Sequence, residues 1–184
     1  MIRRLGFLGA ICFVAVAAGG CSSLQKPTAS YKSMSISNVS ASGFTMNLDV
    51  DIANPNSVSL PLTNADYSLA LGGTPIIRSA KVKPASSVPA GGSATITIPV
   101  PLTFENLLSA EEAIRKGGGT VDYGLDAGLD FDTGIPVLGV LRVPFGHQGT
   151  LNVRELLTRN WGTILTSPAA KELATRVLGG VFKL

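Results

Sequence analysis

The stretch FTMNLDVDIANPN, residues 44–56, alternates apolar and polar side chains without a break until it meets a turn signal. A strand sends successive side chains to opposite faces, so Phe44, Met46, Leu48, Val50 and Ile52 share one apolar side. Thr45, Asn47, Asp49 and Asp51 share the other, solvent-facing side. The pattern predicts a half-buried antiparallel strand. Asn54-Pro55-Asn56 ends it, because proline has no N–H for a ladder, holds the preceding residue extended, and is followed here by a residue that tolerates turns.

Outward from this strand the same period recurs. Tyr31 to Val39 alternates weakly and reads as a first, edge strand. Tyr67, Leu69 and Leu71 share a face ahead of Gly72-Gly73, a hairpin turn into Pro75 to Val82. Pro84 to Gly92 reads as a loop, and Ala94, Ile96, Ile98 and Val100 as a strand whose Pro99 places it at an edge or near its end. Thr103 starts a short helix with Phe104, Leu107, Leu108 and Ile114 on one face, Ser109 and Glu112 at capping-box spacing, and Gly117 to Gly119 as its stop. Val121 to Phe131 alternates most clearly of all, and Leu138 to Phe145 and Gly149 to Val153 read as two further strands broken by Pro144 and Gly146. Seven or eight strands with turn signals between them, and no helices alternating with strands, predict an antiparallel β-sandwich over residues 31–153 with one inserted helix.

Residues 154–184 change period. Leu156, Leu157, Trp161, Ile164 and Leu165 recur at helical spacing, and Ser167-Pro168 has the form of an N-cap followed by proline at the first helical position. Two helices are expected, over 154–165 and 168–178. This amphipathic tail either packs on the sandwich or touches a membrane or partner, with Lys171, Arg176 and Lys183 near the headgroups in the second case.

The N-terminus carries an address. Arg3 and Arg4 precede an apolar run from Leu5 to Ala18, and Ala18-Gly19-Gly20 lies directly before Cys21. The apolar run falls short of the ~20 residues that span a bilayer. Residues 1–20 therefore read as an export signal. Small residues directly before a cysteine resemble the bacterial lipobox, with Ala18 where leucine is usual; that resemblance implies acylation of Cys21 and a lipidated tether over 21–30. Ser22 after the cysteine fits sorting to the outer membrane, facing the periplasm. An ordinary secretory signal and an uncleaved anchor are the alternatives. Without residues 1–20 the 15 basic residues become 13, against 12 acidic, so net charge gives neither a nucleic-acid footprint nor a polybasic patch. Cys21 is then the sole cysteine, and no intrachain disulfide can form.

Chemistry is sparse. His147 is the only histidine, lies in a glycine-flanked segment read as a solvated loop, and has no cysteine nearby to share a zinc ion; no nucleophile-elbow pattern appears. Asp126 and Asp130 would stand ~13 Å apart along a strand, beyond one calcium shell. Only Asp130 and Asp132 approach closely enough to share an ion, and a solvated acidic face accounts for the series. The glycine runs lack the lysine and hydroxyl of a phosphate loop. The residues point to no catalytic group, no metal and no cofactor.

Taken with the following LPLTNADYSLALGGTPI, the segment VPAGGSATITIPVPLTF and the closing VPFGHQGTLNV, the organising strand and its Asn54-Pro55-Asn56 turn resemble the late-embryogenesis-abundant type 2 family and its WHy domain over residues 31–153. The resemblance implies an immunoglobulin-like or fibronectin-III-like sandwich and protection against desiccation, with no catalytic residues. The expectation is a non-enzymatic envelope lipoprotein held to the membrane through Cys21, protecting membrane or proteins under stress. The alternative is a binding or scaffold module that recruits an envelope protein or lipid.

Overall fold

The computed structural model describes residues 24–83, 85–134, 139–164 and 166–179. Residues 1–20, read above as an export signal, Cys21 and the Leu138 start of the expected strand lie outside the described residues. One antiparallel sheet runs β1 (Thr28–Ser37), β2 (Gly43–Ala53), β6 (Ser93–Thr103), with β2 in the middle. The five apolar side chains of β2 are at most 3% exposed. Its register with β6 runs from Gly43 opposite Thr103 to Ala53 opposite Ser93 without a shift. A slip of one residue would turn Asp49 and Asp51 into the core, which holds the register in place.

The second antiparallel sheet has the order β4 (Thr74–Val82), β3 (Leu60–Leu71), β7 (Thr120–Asp132), β8 (Val140–Asn152). The segment 84–92, expected as a loop, contains a three-residue strand, β5 (Ser86–Val88), paired with Leu60–Leu62 of β3 where β4 no longer reaches. Three residues are too few for alternation to register. The two sheets enclose one hydrophobic cluster that includes Leu48, Ile98, Leu69, Leu125 and Phe131, each at most 1% exposed. The fold is thus mainly β, as expected, with eight strands among the described residues.

Four local expectations are corrected. The segments read as separate strands broken by Pro144 and Gly146 are one continuous β8, paired along its length with β7. β8 is the last strand of its sheet, so a proline amide facing the open side costs no ladder bond. The inserted helix is two short helices, α1 (Phe104–Ser109) and α2 (Glu111–Lys116). The capping box belongs to Thr103 and Asn106, and the Ser109 hydroxyl instead donates back to the Glu105 carbonyl at 3.1 Å. In the tail, the first expected helix divides into α3 (Val153–Arg159) and α4 (Trp161–Ile164), because the Asn160 side-chain amide donates to the Leu156 carbonyl at 2.9 Å and closes α3.

Ser167 caps α5 (Pro168–Leu178) by accepting from the Ala170 amide, with Pro168 at the first turn as the spacing predicts. Ala170, Leu173, Ala174, Val177 and Leu178 are buried against α1, α2 and α3. Arg176 of α5 bonds Glu111 of α2 at 3.1 Å. The tail thus completes the core at one end of the sandwich. No described helix is long and apolar enough to cross a membrane.

Strand direction separates the two ends. Thr28 lies opposite Ala53, and Ala53 opposite Ser93, so the N-terminal entry and the turns after β2 and before β6 share one end. α1 follows β6, α2 precedes β7 and α3 follows β8, which puts every described helix at the other.

Truncating Leu173, fully buried, to alanine should cost about 2–4 kcal/mol in urea unfolding, whereas Lys171→Ala on the exposed side of the same helix should stay within about 0.5 kcal/mol. Equal, small effects would mean that α5 is not integral to the core.

Candidate functional site

The Asn54-Pro55-Asn56 turn is built around two buried carboxamides. Asn54 is 1% exposed and Asn56 7%, while Pro55 between them faces solvent. The Asn54 Nδ2 donates to the carbonyls of Val58 at 2.8 Å and Pro89 at 3.0 Å, with the Val88 carbonyl 3.4 Å away. Facing three carbonyl oxygens, that atom can only be the amide nitrogen. Its Oδ1 then accepts from the Asn56 backbone N–H at 3.0 Å and from Asn56 Nδ2 at 2.9 Å. The backbone joins in: the Asn54 N–H donates to the Gly92 carbonyl and the Gly91 N–H to the Asn56 carbonyl, both at 2.8 Å. Pro55 forfeits only an N–H in an exposed residue, and its fixed φ sets the turn at little cost.

Asn56 reaches a segment to which no sequence pattern connects it. The Gln25 backbone N–H donates to Asn56 Oδ1 at 2.6 Å, and Asn56 Nδ2 donates to the Gln25 carbonyl at 2.8 Å. The side chain therefore pairs with Gln25 as a neighbouring strand would. Pro27 is buried, and β1 begins at Thr28, so the sandwich takes up part of the segment read as a tether over 21–30.

On the outer face of the smaller sheet, Asp49 and Asp51 are held by cross-strand donors. Asp49 accepts from Ser33 on β1 at 2.8 Å and from Thr97 on β6 at 2.6 Å. Asp51 accepts from Thr95 at 2.6 Å and from Lys32 at 3.2 Å. Hydrogen bonds from Thr97 and Ser33 lower the Asp49 pKa, and one from Thr95 lowers that of Asp51.

The acidic series on β7 resolves into separate partners. Asp130 binds Arg142 at 2.8 Å and Asn64 at 3.0 Å, while Asp132 accepts from the Gly134 amide at 2.9 Å, so the two carboxylates do not converge. Arg142 also engages both oxygens of Asp66, at 2.7 Å each, and that contact lowers the Asp66 pKa. Gly128 permits this crossing, since a Cβ there would lie 2.0 Å from Arg142 Nη2. Being half-exposed, these pairs add at most about 1 kcal/mol each. Among the described residues no three metal-binding side chains converge.

His147 is not in a loop: it lies on β8 opposite Leu125. Its ring stacks on Tyr31 of β1 with centroids 3.6 Å apart and planes 3° from parallel, and Tyr123 stands 5.9 Å away. The flanking glycine that suggested a loop has a packing reason, because a Cβ on Gly149 would sit 2.7 Å from the Tyr123 hydroxyl oxygen. No serine hydroxyl is found hydrogen-bonded to the imidazole among the described residues. The stack closes the seam between the two sheets, and burial lowers the His147 pKa. Nearby, a groove of about 550 Å³ opens between β1 and β8, lined in part by Met34, Ile36, Leu151 and Leu156.

Comparison with known proteins gives this arrangement relatives. The sequence model of a late embryogenesis abundant protein family matches residues 49–149. A desiccation protectant protein of Glycine max is 29% identical over 133 residues, covering 72% of this chain and 85% of its own. A desiccation-related protein of Arabidopsis thaliana is 27% identical over the same length, covering 72% and 78%. The solution structure of an Arabidopsis thaliana protein superposes with a TM-score of 0.58 at 24% identity over 78% of this chain and 91% of that one, a likeness of fold.

Two outcomes are expected at these sites. Asn54→Ala removes the side-chain donor of the Val58 carbonyl and the acceptor of the Asn56 backbone N–H, and should cost about 3 kcal/mol in urea unfolding, while Pro55→Ala should cost under about 1 kcal/mol. His147 has a folded-state pKa below its unfolded one, so the unfolded chain takes the proton more readily. Its contribution to stability is complete above about pH 6.5 and is lost as pH falls through the lowered folded value. Tm should decline from about pH 6.5 downward in the parent and less so in His147→Gln, before the carboxylates titrate.

Proposed function

Because the chain belongs to the late embryogenesis abundant type 2 family, we propose that it is a non-enzymatic protectant of the bacterial cell envelope, acylated at Cys21 and shielding membrane or proteins during water loss. The family and its desiccation-related members support a protective role under such stress. The envelope address rests on the sequence alone, through the apolar segment, the small residues and Cys21.

One observation carries the non-enzymatic part. The polar side chains singled out by the sequence are engaged in structural bonds: Asn54 and Asn56 in a turn, Asp49 and Asp51 across strands, Asp130 with Arg142, His147 in an aromatic stack. A catalytic centre needs a nucleophile and a base aimed at a common point. Here the groups point into the fold's own joints.

A second reading has one observation in its favour. The groove between β1 and β8 lies where the two sheets leave strand edges unpaired, which suits a binding module for an envelope protein or lipid.

The two readings part in a deletion strain. Loss of survival after drying, restored by the parent gene and not by Cys21→Ser, is the expected result. Survival equal to the parent strain, with one dominant partner recovered by envelope cross-linking, would replace protection with recruitment. Radiolabelled fatty acid should enter the parent chain and not Cys21→Ser; an unlabelled parent chain would remove the lipoprotein reading.

A further inference from the structure

We propose that the Asn56 clamp on Gln25 orients the whole sandwich on the bilayer, seating the Asn54–Asn56 and Pro89–Gly92 turns against the lipid headgroups and holding the helical end away from them. The inference rests on the reading that Cys21 is acylated. Its own content is which surface meets the lipid.

The argument is one of chain length. Four residue steps separate Cys21 from Gln25, and an extended chain covers at most ~14 Å over that distance. Gln25 is a fixed point. Asn56 grips both the N–H and the carbonyl of that residue, at 2.6 and 2.8 Å, and Pro27 is buried two residues later. Without the clamp the first fixed points would be the buried Pro27 and β1 at Thr28. With it, the acyl anchor is confined to the neighbourhood of the two turns that Asn54 ties together.

The far end is then out of reach. β2 has 11 residues, and at about 3.3 Å each it spans about 35 Å, more than twice the slack of the anchor segment. All the described helices lie beyond that span. The amphipathic tail therefore does not touch the membrane that holds the anchor; its apolar side is spent on the core.

The chain carries its own reporter. Trp161, the single tryptophan, lies on α4 at the helical end. The full-length gene is expressed, and the membrane-extracted protein is reconstituted into phosphatidylglycerol–phosphatidylethanolamine vesicles containing a headgroup spin-labelled lipid. Trp161 fluorescence should change little. Moving the reporter to the exposed turn, in the double variant Trp161→Phe and Ala90→Trp, should raise the quenched fraction at least threefold. Equal quenching at the two positions in acylated protein would overturn the orientation and leave the lipoprotein reading intact. Protein that carries no acyl chain would overturn both. Asn56→Ala should narrow the difference between the two reporters; if that variant does not fold, insertion of eight glycine and serine residues between Ser23 and Leu24 lengthens the slack without touching the clamp and should lower quenching at position 90. Strong quenching there despite the insertion would also count against the inference.

Discussion

The Asn54 carboxamide, 1% exposed, sits where three carbonyl oxygens converge, and a group with two donors and one acceptor in that place can be neither removed nor turned. Around it the chain makes its hardest manoeuvre, leaving β2 in one sheet and entering β3 in the other. The same residue's backbone N–H holds Gly92, just before β6 begins. One side chain thus fixes how the central strand ends, how the second sheet starts, and where the edge strand returns.

Much of this was legible in the sequence, for a definite reason. β2 and β7 are buried on one face only, so their apolar residues had to alternate, and Phe44 to Ile52 and Val121 to Phe131 did. β8 departs from its sequence pattern because the two rules at issue, that proline and glycine interrupt strands, are rules about strands with neighbours on both sides. At the edge, Pro144 loses nothing, and Gly146 stays in an unbroken ladder opposite Asp126. The division of the tail at Asn160 depends on one side-chain bond to Leu156, which periodicity does not encode.

The candidate site was half legible. Asn54-Pro55-Asn56 announces a turn by composition, yet nothing in it announces Gln25, because the bond joins residues 31 positions apart and on the Gln25 side uses only backbone. Any residue except proline offers the same N–H and carbonyl. The His147 stack is hidden in the same way: Tyr31 and Tyr123 meet it only once the two sheets have closed. Contacts between backbone and a distant amide, and between rings on different sheets, leave no local trace in composition.

The cross-strand bonds on the outer face of the smaller sheet bear on what happens when solvent is withdrawn. An exposed carboxylate ordinarily relies on water for its hydrogen bonds, and drying leaves it to find other donors, often on a neighbouring molecule. Asp49 already has Ser33 and Thr97, and Asp51 has Thr95 and Lys32, each from a strand that the fold holds in register. On this face each of the two carboxylates thus has two donors supplied by the protein itself, and the cation among them, Lys32, is shared with Thr95.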